Sequence, residues 1–199
     1  MTKRTILAVL LSIFSVIAYA QNNTRDYLNI PGPVVFDSQS FHLDWSSHPA
    51  VNFYKQEYLT KNDSAGKYKT MLMMDVITGD KNLKDIVAEK IKELKNLKAT
   101  NPLISYESFG NAAAGEYMLD FVLTAGTPDG KQLSIAERNV YRYKTFVDKG
   151  GKRGVLLFGV STRAYGKDIS NFYAALKTNK SQLVNQVAKY TIPEIKVRK

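Results

Sequence analysis

The sequence predicts an α+β fold in which helices pack on the faces of one antiparallel sheet. Residues 68–78 form a strand-length run that is apolar at both odd and even positions, as expected for a central strand covered on both sides. Residues 127–131 read TPDGK, a typical hairpin turn, because proline presets the first turn angle and glycine accepts the left-handed one. Two further stretches, 83–97 and 169–190, carry apolar residues at helical spacing.

Short strands are expected on either side of the central one. Their residue types predict strands over 34–36, 41–45, 53–60 and 155–160. The composition of 46–49 and 61–67 predicts turns. Residues 21–33 contain asparagine, proline and glycine, and we interpret them as an extended N-terminal segment that does not pack. A single α/β domain is therefore expected over residues 34–199.

Both helices have recognisable ends. The first is expected to begin after Asn82, whose side chain can cap it, and to end at Asn101, which precedes a proline. The second is expected to begin near Asp168 and to bend where polar residues 178–180 interrupt its apolar stripe. Pro193 ends it.

The predicted hairpin allows its register to be compared with its side chains. A three-residue loop over 128–130 places Asp120 opposite Arg138. The same register places Glu116 opposite Arg142. Both pairs join opposite charges on one strand face, and a slip of one residue would separate them. We therefore predict two structural ion pairs, each contributing under about 1 kcal/mol at an exposed position.

The first twenty residues predict an exported protein. Met1-Thr2-Lys3-Arg4 is cationic, 5–18 is apolar apart from two serines, and 18–20 read AYA, the small-x-small pattern that signal peptidase cleaves. We expect residues 1–20 to be a signal peptide cleaved after Ala20, leaving a periplasmic or secreted chain without a transmembrane segment. No cysteine follows the apolar run, so a lipid anchor is not expected.

Composition narrows the classes of function. The chain is 44% hydrophobic and has a formal net charge of +10, which loss of Lys3 and Arg4 lowers to about +8. This balance indicates a packed domain with a basic surface. Outside the cytoplasm, such a surface suits an anionic lipid, a glycan or an acidic protein better than nucleic acid. The absence of cysteine excludes disulfides, thiolate nucleophiles and sulfur metal sites.

We predict no catalytic residue and no cofactor. The Gly-x-Ser-x-Gly nucleophile pattern and the phosphate-loop spacing are both missing. The two histidines of the chain, His42 and His48, flank Asp44, and a turn at Ser46-Ser47 would bring the three together as a zinc-type set. This set lacks a fourth ligand, so ordinary histidines are favoured and no metal site is predicted.

The best candidate for a binding surface is a stripe of cations. Arg138, Arg142 and Lys144 alternate along one strand and so share a face. Arg163 can join them from the next strand. With tyrosines close in sequence, this stripe would suit an anion or an acidic partner. The alternative is a solvated strand face that the acidic residues of the neighbouring strand partly neutralise.

The order of elements resembles the PsbP-like α/β/α sandwich family. The likeness consists of the aromatic start FHLDW at 41–45, an amphipathic helix, a long antiparallel meander and the strand-to-helix passage over 155–190. That family contains the lumenal extrinsic subunit of photosystem II, a small Ran-binding import factor and secreted bacterial proteins. Its members act mainly as binding or assembly factors, so the resemblance implies a sheet with helices on its faces and a non-enzymatic role. No family site motif matches residues of this chain.

These expectations combine into one functional hypothesis and two alternatives. The chain is expected to be an exported envelope accessory or assembly factor, not an enzyme, that binds a partner protein or an anionic lipid or glycan. A sheet face or its rim would make the contact. The first alternative is a periplasmic carrier of a small hydrophobic ligand held between the sheet and the helix at 82–98. The second is an envelope hydrolase or metalloenzyme centred on His42, Asp44 and His48.

Overall fold

The computed structural model describes residues 24–111 and 114–198, which form an eight-stranded antiparallel sheet with two long helices. The strands are β1 (Val34–Phe36), β2 (Gln39–Ala50), β3 (Phe53–Leu59), β4 (Thr70–Thr78), β5 (Ser105–Asn111), β6 (Glu116–Gly126), β7 (Leu133–Val147) and β8 (Arg153–Tyr165). The helices are α1 (Leu83–Thr100) and α2 (Ile169–Lys189), with a short 3₁₀ turn (Gly166–Asp168) before α2. Across the sheet the strand order is β1-β2-β3-β4-β8-β7-β6-β5. The expected signal peptide lies outside the described residues.

The doubly apolar run forms β4, and its predicted central position is confirmed. It pairs with β3 on one side and with β8 on the other. On one sheet face Leu72, Met74 and Val76 are fully buried. The opposite face of the same strand is only partly covered and includes Asp75, so the expected cover on both sides is incomplete there.

Both helices begin and end close to the predicted residues. The Asn82 side chain caps α1 by accepting a hydrogen bond from the Lys84 amide at 2.9 Å, and Asn101 follows the last turn. The bend expected at residues 178–180 is present, because Asn179 has a non-helical φ of −124° inside α2. Asp168 precedes α2, although its side chain makes no capping hydrogen bond.

The two helices pack on opposite faces of the sheet. Leu83, Val87 and Leu94 of α1 lie against Leu119 and Phe121 of β6. The second half of α2 packs on the other face through Val187, together with the core residues of β4 and β8. Each face therefore has its own apolar core, and the sheet separates them.

The predicted hairpin exists, but its predicted register is wrong by two residues. Asp120 pairs with Val140 rather than Arg138, and Glu116 pairs with Lys144 rather than Arg142. The loop is longer than expected, and a bulge lies between Ala125 and Gly126. A two-residue shift keeps every side chain on its predicted face, because side chains alternate with a period of two.

The N-terminal segment packs, contrary to expectation. Leu28 and Ile30 belong to the core on the α2 face. The Leu28 amide donates to Oε1 of the buried Gln56 at 2.7 Å, and its carbonyl accepts from the Lys196 amide at 2.9 Å. The segment has neither helix nor strand, but it closes the core together with the C-terminal residues, of which Val197 is also buried.

Among the described residues, neither helix combines the length and apolar character needed to cross a membrane.

Candidate functional site

The cations of the stripe predicted on β7 form ion pairs and hydrogen bonds with other residues of the chain. The Arg138 guanidinium binds Asp120 in a bidentate pair, with Nε–Oδ1 and Nη2–Oδ2 distances of 2.9 Å. The Arg138 and Asp120 side chains are only 5% and 3% exposed, and Arg138 also donates to the Lys180 carbonyl of α2 at 2.6 Å. This pair is buried rather than exposed, so the small contribution assigned to it from sequence is wrong.

The second predicted pair lies nearer the surface. Arg142 Nη2 donates to Glu116 Oε1 at 2.8 Å, and this contact holds the pKa of Glu116 below its usual range. Arg142 also donates to the Tyr190 carbonyl at 3.0 Å. Lys144 Nζ lies 3.6 Å from the same Glu116 oxygen. These three cations share one face, as expected, but Asp120 and Glu116 bind them there and leave only one net positive charge.

Arg163 does not join this stripe. It pairs across the sheet with Glu137, whereas its neighbour Thr162 pairs with Arg138, so Arg163 and Arg138 lie on opposite faces. The expectation that four cations form one surface is therefore wrong.

The two histidines are also separated. β2 continues through Ala50 instead of turning at Ser46-Ser47, so His48 does not fold back towards His42. His42 pairs with Leu59 on the α1 face, and the His48 ring stacks on Tyr54 of the other face, with 4.3 Å between ring centroids. In the part of the chain that the structure describes, no group of three histidine, aspartate or glutamate side chains is placed to hold a metal ion.

The α1 face carries a different polar surface, which sequence reasoning missed. A cross-strand row runs from Trp45 of β2 through Glu57, Met73 and Gly159 to Tyr141 of β7. Glycine is required in this row, because a Cβ at Gly159 would lie 2.9 Å from the Tyr141 ring. We call the following residues of this face the polar face: Trp45, Lys55, Glu57, Met73, Asp75, Glu137, Asn139, Tyr141, Ser161 and Arg163.

One end of the polar face is a closed hydrogen-bond network around Glu137. Tyr68 Oη donates to Glu137 Oε2 at 3.0 Å, and Asn139 Nδ2 donates to Glu137 Oε1 at 2.9 Å. Arg163 Nε also donates to Glu137 Oε2, and its guanidinium lies 4.1 Å from the centroid of the Tyr68 ring. Ser161 Oγ donates to Asn139 Oδ1. Because every member has a partner, this end is rigid and structural.

The other end contains two carboxyl groups in an unusual environment. Burial raises the pKa of Glu57 to about 7, and burial raises the pKa of Asp75 to about 6. Lys55 Nζ lies 3.6 Å from Asp75 Oδ2 and opposes that increase. The Glu57 carboxyl, by contrast, makes no side-chain hydrogen bond or ion pair with any residue that the structure describes, although the nearby charge of Lys55 lowers its pKa. Asp44, displaced by a bulge in β2, adds a negative charge that raises the pKa of Glu57 further.

This arrangement can accept a cation or a hydrogen-bond donor from outside the chain. The Glu57 carboxyl titrates near neutral pH, and both carboxyl-bearing residues are only partly buried, so solvent still reaches them. Partly desolvated carboxyls with displaced pKa values are typical of functional sites. The sequence offered one signal for them: Asp75 is the lone charge in an otherwise apolar central strand.

Comparison with known proteins gives one finding. A protein-family model matches residues 28–192, which cover most of the chain and all the helices and strands described above. No curated protein matches the chain, and no solved structure matches it. Because the match extends over more than half of the sequence, the chain belongs to the protein family whose model spans residues 28–192.

Proposed function

We propose that this chain is an exported binding protein that acts as an accessory or assembly factor and engages a partner protein through the polar face. Export and a periplasmic location follow from the signal peptide expected at residues 1–20. A PsbP-like sandwich, with its non-catalytic role, is part of the same proposal. The helices on opposite faces of one antiparallel sheet are consistent with that likeness.

The environment of Glu57 carries the proposal. An ionised carboxylate that is partly removed from water is unfavourable unless a cation or hydrogen-bond donors compensate it. The charges of Lys55 and Arg163 lower the pKa of Glu57 in part, but Lys55 binds Asp75 and Arg163 binds Glu137, so neither forms an ion pair with Glu57. A lysine or arginine from a partner would supply the missing charge and return the pKa of Glu57 towards its ordinary value.

Trp45 supplies an apolar anchor beside this charge. It lies directly opposite Glu57 across the β2–β3 pair and is 41% exposed. Interfaces favour a large aromatic side chain next to a charged contact, because the ring excludes water from the pair. The combination favours a protein segment that bears a basic residue.

The same geometry argues against the anionic lipid or glycan expected from composition. Arg138 and Arg142 of β7 are already paired with Asp120 and Glu116, and Lys144 lies beside the same Glu116, so only one net positive charge of the stripe is left for an anion. The proposal therefore specifies a partner protein.

Photo-crosslinking in living cells tests this proposal. A photoreactive phenylalanine analogue in place of Trp45 is expected to crosslink to one protein, through a segment that contains lysine or arginine. The same analogue in place of the exposed Lys189 on α2 is the control and should not capture that protein. Equal capture from both positions, or crosslinks from Trp45 to lipid or glycan only, would contradict the proposal.

Export is tested separately by the N-terminus of the mature protein. Mass spectrometry of the protein from the periplasmic fraction should find Gln21 as its first residue. Full-length protein retained in the cytosol would show that the location is wrong.

A further inference from the structure

A groove of about 370 Å³ lies between α2 and strands β5 to β7, on the face opposite the polar face. Four residues of α2 line it: Tyr173, Leu176, Lys177 and Lys180. Their spacing of three and four residues places them on one side of the helix. The volume lies within the range of small-molecule sites. We call this space the α2 groove.

Among the charged side chains that line the α2 groove, one cation has no acidic partner within the described part of the chain. Arg138 is paired with Asp120 at its floor, and Lys180 Nζ is paired with Glu107 at 2.5 Å. Lys177 has no ion pair with any described residue. The groove therefore carries a net positive charge supplied by one ammonium group.

Tyr173 adds a hydrogen-bonding group without a partner. Its hydroxyl oxygen is buried and makes no hydrogen bond within the described part of the chain. Leaving such a group unsatisfied costs about 1–3 kcal/mol. Tyr173 and Lys177 are one helical turn apart, with Cβ atoms about 5–6 Å from each other. Both residues line the α2 groove from the same side of the helix.

The remaining walls define the rest of the ligand. Leu176 of α2 and Val122 of β6 contribute apolar surface to the groove. The bend at Asn179 shapes its end, because it leaves the Lys180 carbonyl to accept a hydrogen bond from Arg138. The groove thus combines one anion-binding end with an apolar wall.

We propose that the α2 groove binds a small monocarboxylate with a short hydrocarbon or aryl group. The carboxylate accepts hydrogen bonds from the Tyr173 hydroxyl and the Lys177 ammonium, and its apolar part packs on Leu176 and Val122. A single surplus positive charge matches a monoanion. This site is independent of partner binding through the polar face, since the sheet separates the two. It also differs from the expected carrier site beneath α1, where Leu83, Val87 and Leu94 pack directly on the sheet.

Titration of the mature chain with octanoate, followed by amide NMR and calorimetry, tests this inference. Octanoate is expected to shift the resonances of residues 173–180 and of β6 and to bind more tightly than octanol, its uncharged analogue. Lys177→Met should weaken octanoate binding roughly tenfold, because a charge-assisted contact is lost. Tyr173→Phe should weaken it roughly threefold without destabilising the fold.

Lys189→Met provides the matched control, since Lys189 is an exposed lysine of the same helix. Its octanoate affinity should equal that of the unmodified chain. The inference is overturned by absent octanoate binding, by equal affinities for octanoate and octanol, or by shifts confined to the polar face. It is also overturned by unchanged affinity in Lys177→Met, and NMR spectra of each variant verify that the fold is intact.

Discussion

Glu57 and Asp75 differ from the other carboxyl groups of the chain in what surrounds them. Both lie on β-strands where neighbouring strands remove water, and burial raises the pKa of Glu57 to about 7 and that of Asp75 to about 6. Sequence could not predict this, because the relevant neighbours come from β2, β3 and β4 and are set by register. Lys55 compensates Asp75 in part, whereas the Glu57 carboxyl has no ion pair among the described residues and costs stability, which a binding site can tolerate where function requires it.

Stability should therefore depend on the pH through Glu57. Its folded-state pKa of about 7 lies above the ordinary value of 4.5, so the folded chain keeps a proton that the unfolded chain has already released. The free energy of unfolding falls as the pH rises through this window. Glu57→Gln should raise it by about 2 kcal/mol at pH 8 and change it little at pH 4.

Urea unfolding of both proteins from pH 4 to pH 8 measures this difference. Glu89→Gln, the same substitution at an exposed position of α1, should give a curve parallel to that of the unmodified chain. Parallel curves for Glu57→Gln as well would show that Glu57 has an ordinary pKa.

The two ion pairs between β6 and β7 were predicted with the correct partners although the predicted strand register was wrong. Asp120–Arg138 and Glu116–Arg142 both form, although neither pair is directly opposite. Long arginine side chains reach a diagonal neighbour on the same face. Residue alternation therefore predicted the partners, whereas burial, which decides the energy of each pair, depended on the position of α2.

Removing one member of the buried Asp120–Arg138 pair should cost far more than removing one member of the partly buried Glu116–Arg142 pair. Arg138→Met leaves Asp120 buried and uncompensated, and should lower the free energy of unfolding by about 3–5 kcal/mol. The double variant Arg138→Met/Asp120→Leu should recover most of that loss, because it removes the stranded charge. Arg142→Met, the control in a pair that is 12% and 28% exposed, should cost about 1 kcal/mol. Equal losses for the two single variants, measured by urea unfolding, would contradict this account.

Sequence signals predicted the ends and bends of the helices well where neighbouring residues along the chain determine them. The cap at Asn82 and the polar interruption at 178–180 correctly predicted the start of α1 and the bend of α2. The turn expected at 46–49 was wrong, because β2 continues through Pro49. Proline is tolerated there because β1 pairs only with residues 39–41, so no strand among the described residues pairs with that edge of β2 at Pro49.

The N-terminal segment is the clearest case in which packing overrides composition. Residues rich in asparagine, proline and glycine still place Leu28 in the core, because Gln56 and the C-terminal residues supply its backbone hydrogen bonds. Nothing local in the sequence predicts a contact between residues 28 and 196.

Leu28 should therefore matter to folding as much as a strand residue does. Leu28→Ala creates a cavity in a fully buried position and should destabilise the chain by about 2–5 kcal/mol. Val35→Ala, at a side chain that is 55% exposed, should change the free energy of unfolding by less than about 0.5 kcal/mol. A small loss for Leu28→Ala in thermal or urea unfolding would mean that the segment does not pack.

At the scale of the whole molecule, the net charge does not describe the charge on each face of the sheet. The chain carries a formal charge of +10, yet its α1 face presents Asp44, Glu57 and Asp75 beside an exposed Trp45. The sheet separates this polar face from the α2 groove. We therefore propose two separate sites in one domain: a surface for a basic protein segment on one face and a cleft for a small anion on the other.

The affinity of the protein captured from Trp45, measured against pH, tests the central claim most directly. Binding a cation favours the ionised carboxylates, so affinity should rise from pH 6 to pH 8. Glu57→Gln/Asp75→Asn should weaken it roughly tenfold at pH 8, whereas the control Asp80→Asn/Glu89→Gln, at two exposed positions, should not. Unchanged affinity in the first variant, or affinity that falls as the pH rises, would show that the polar face is not the binding surface.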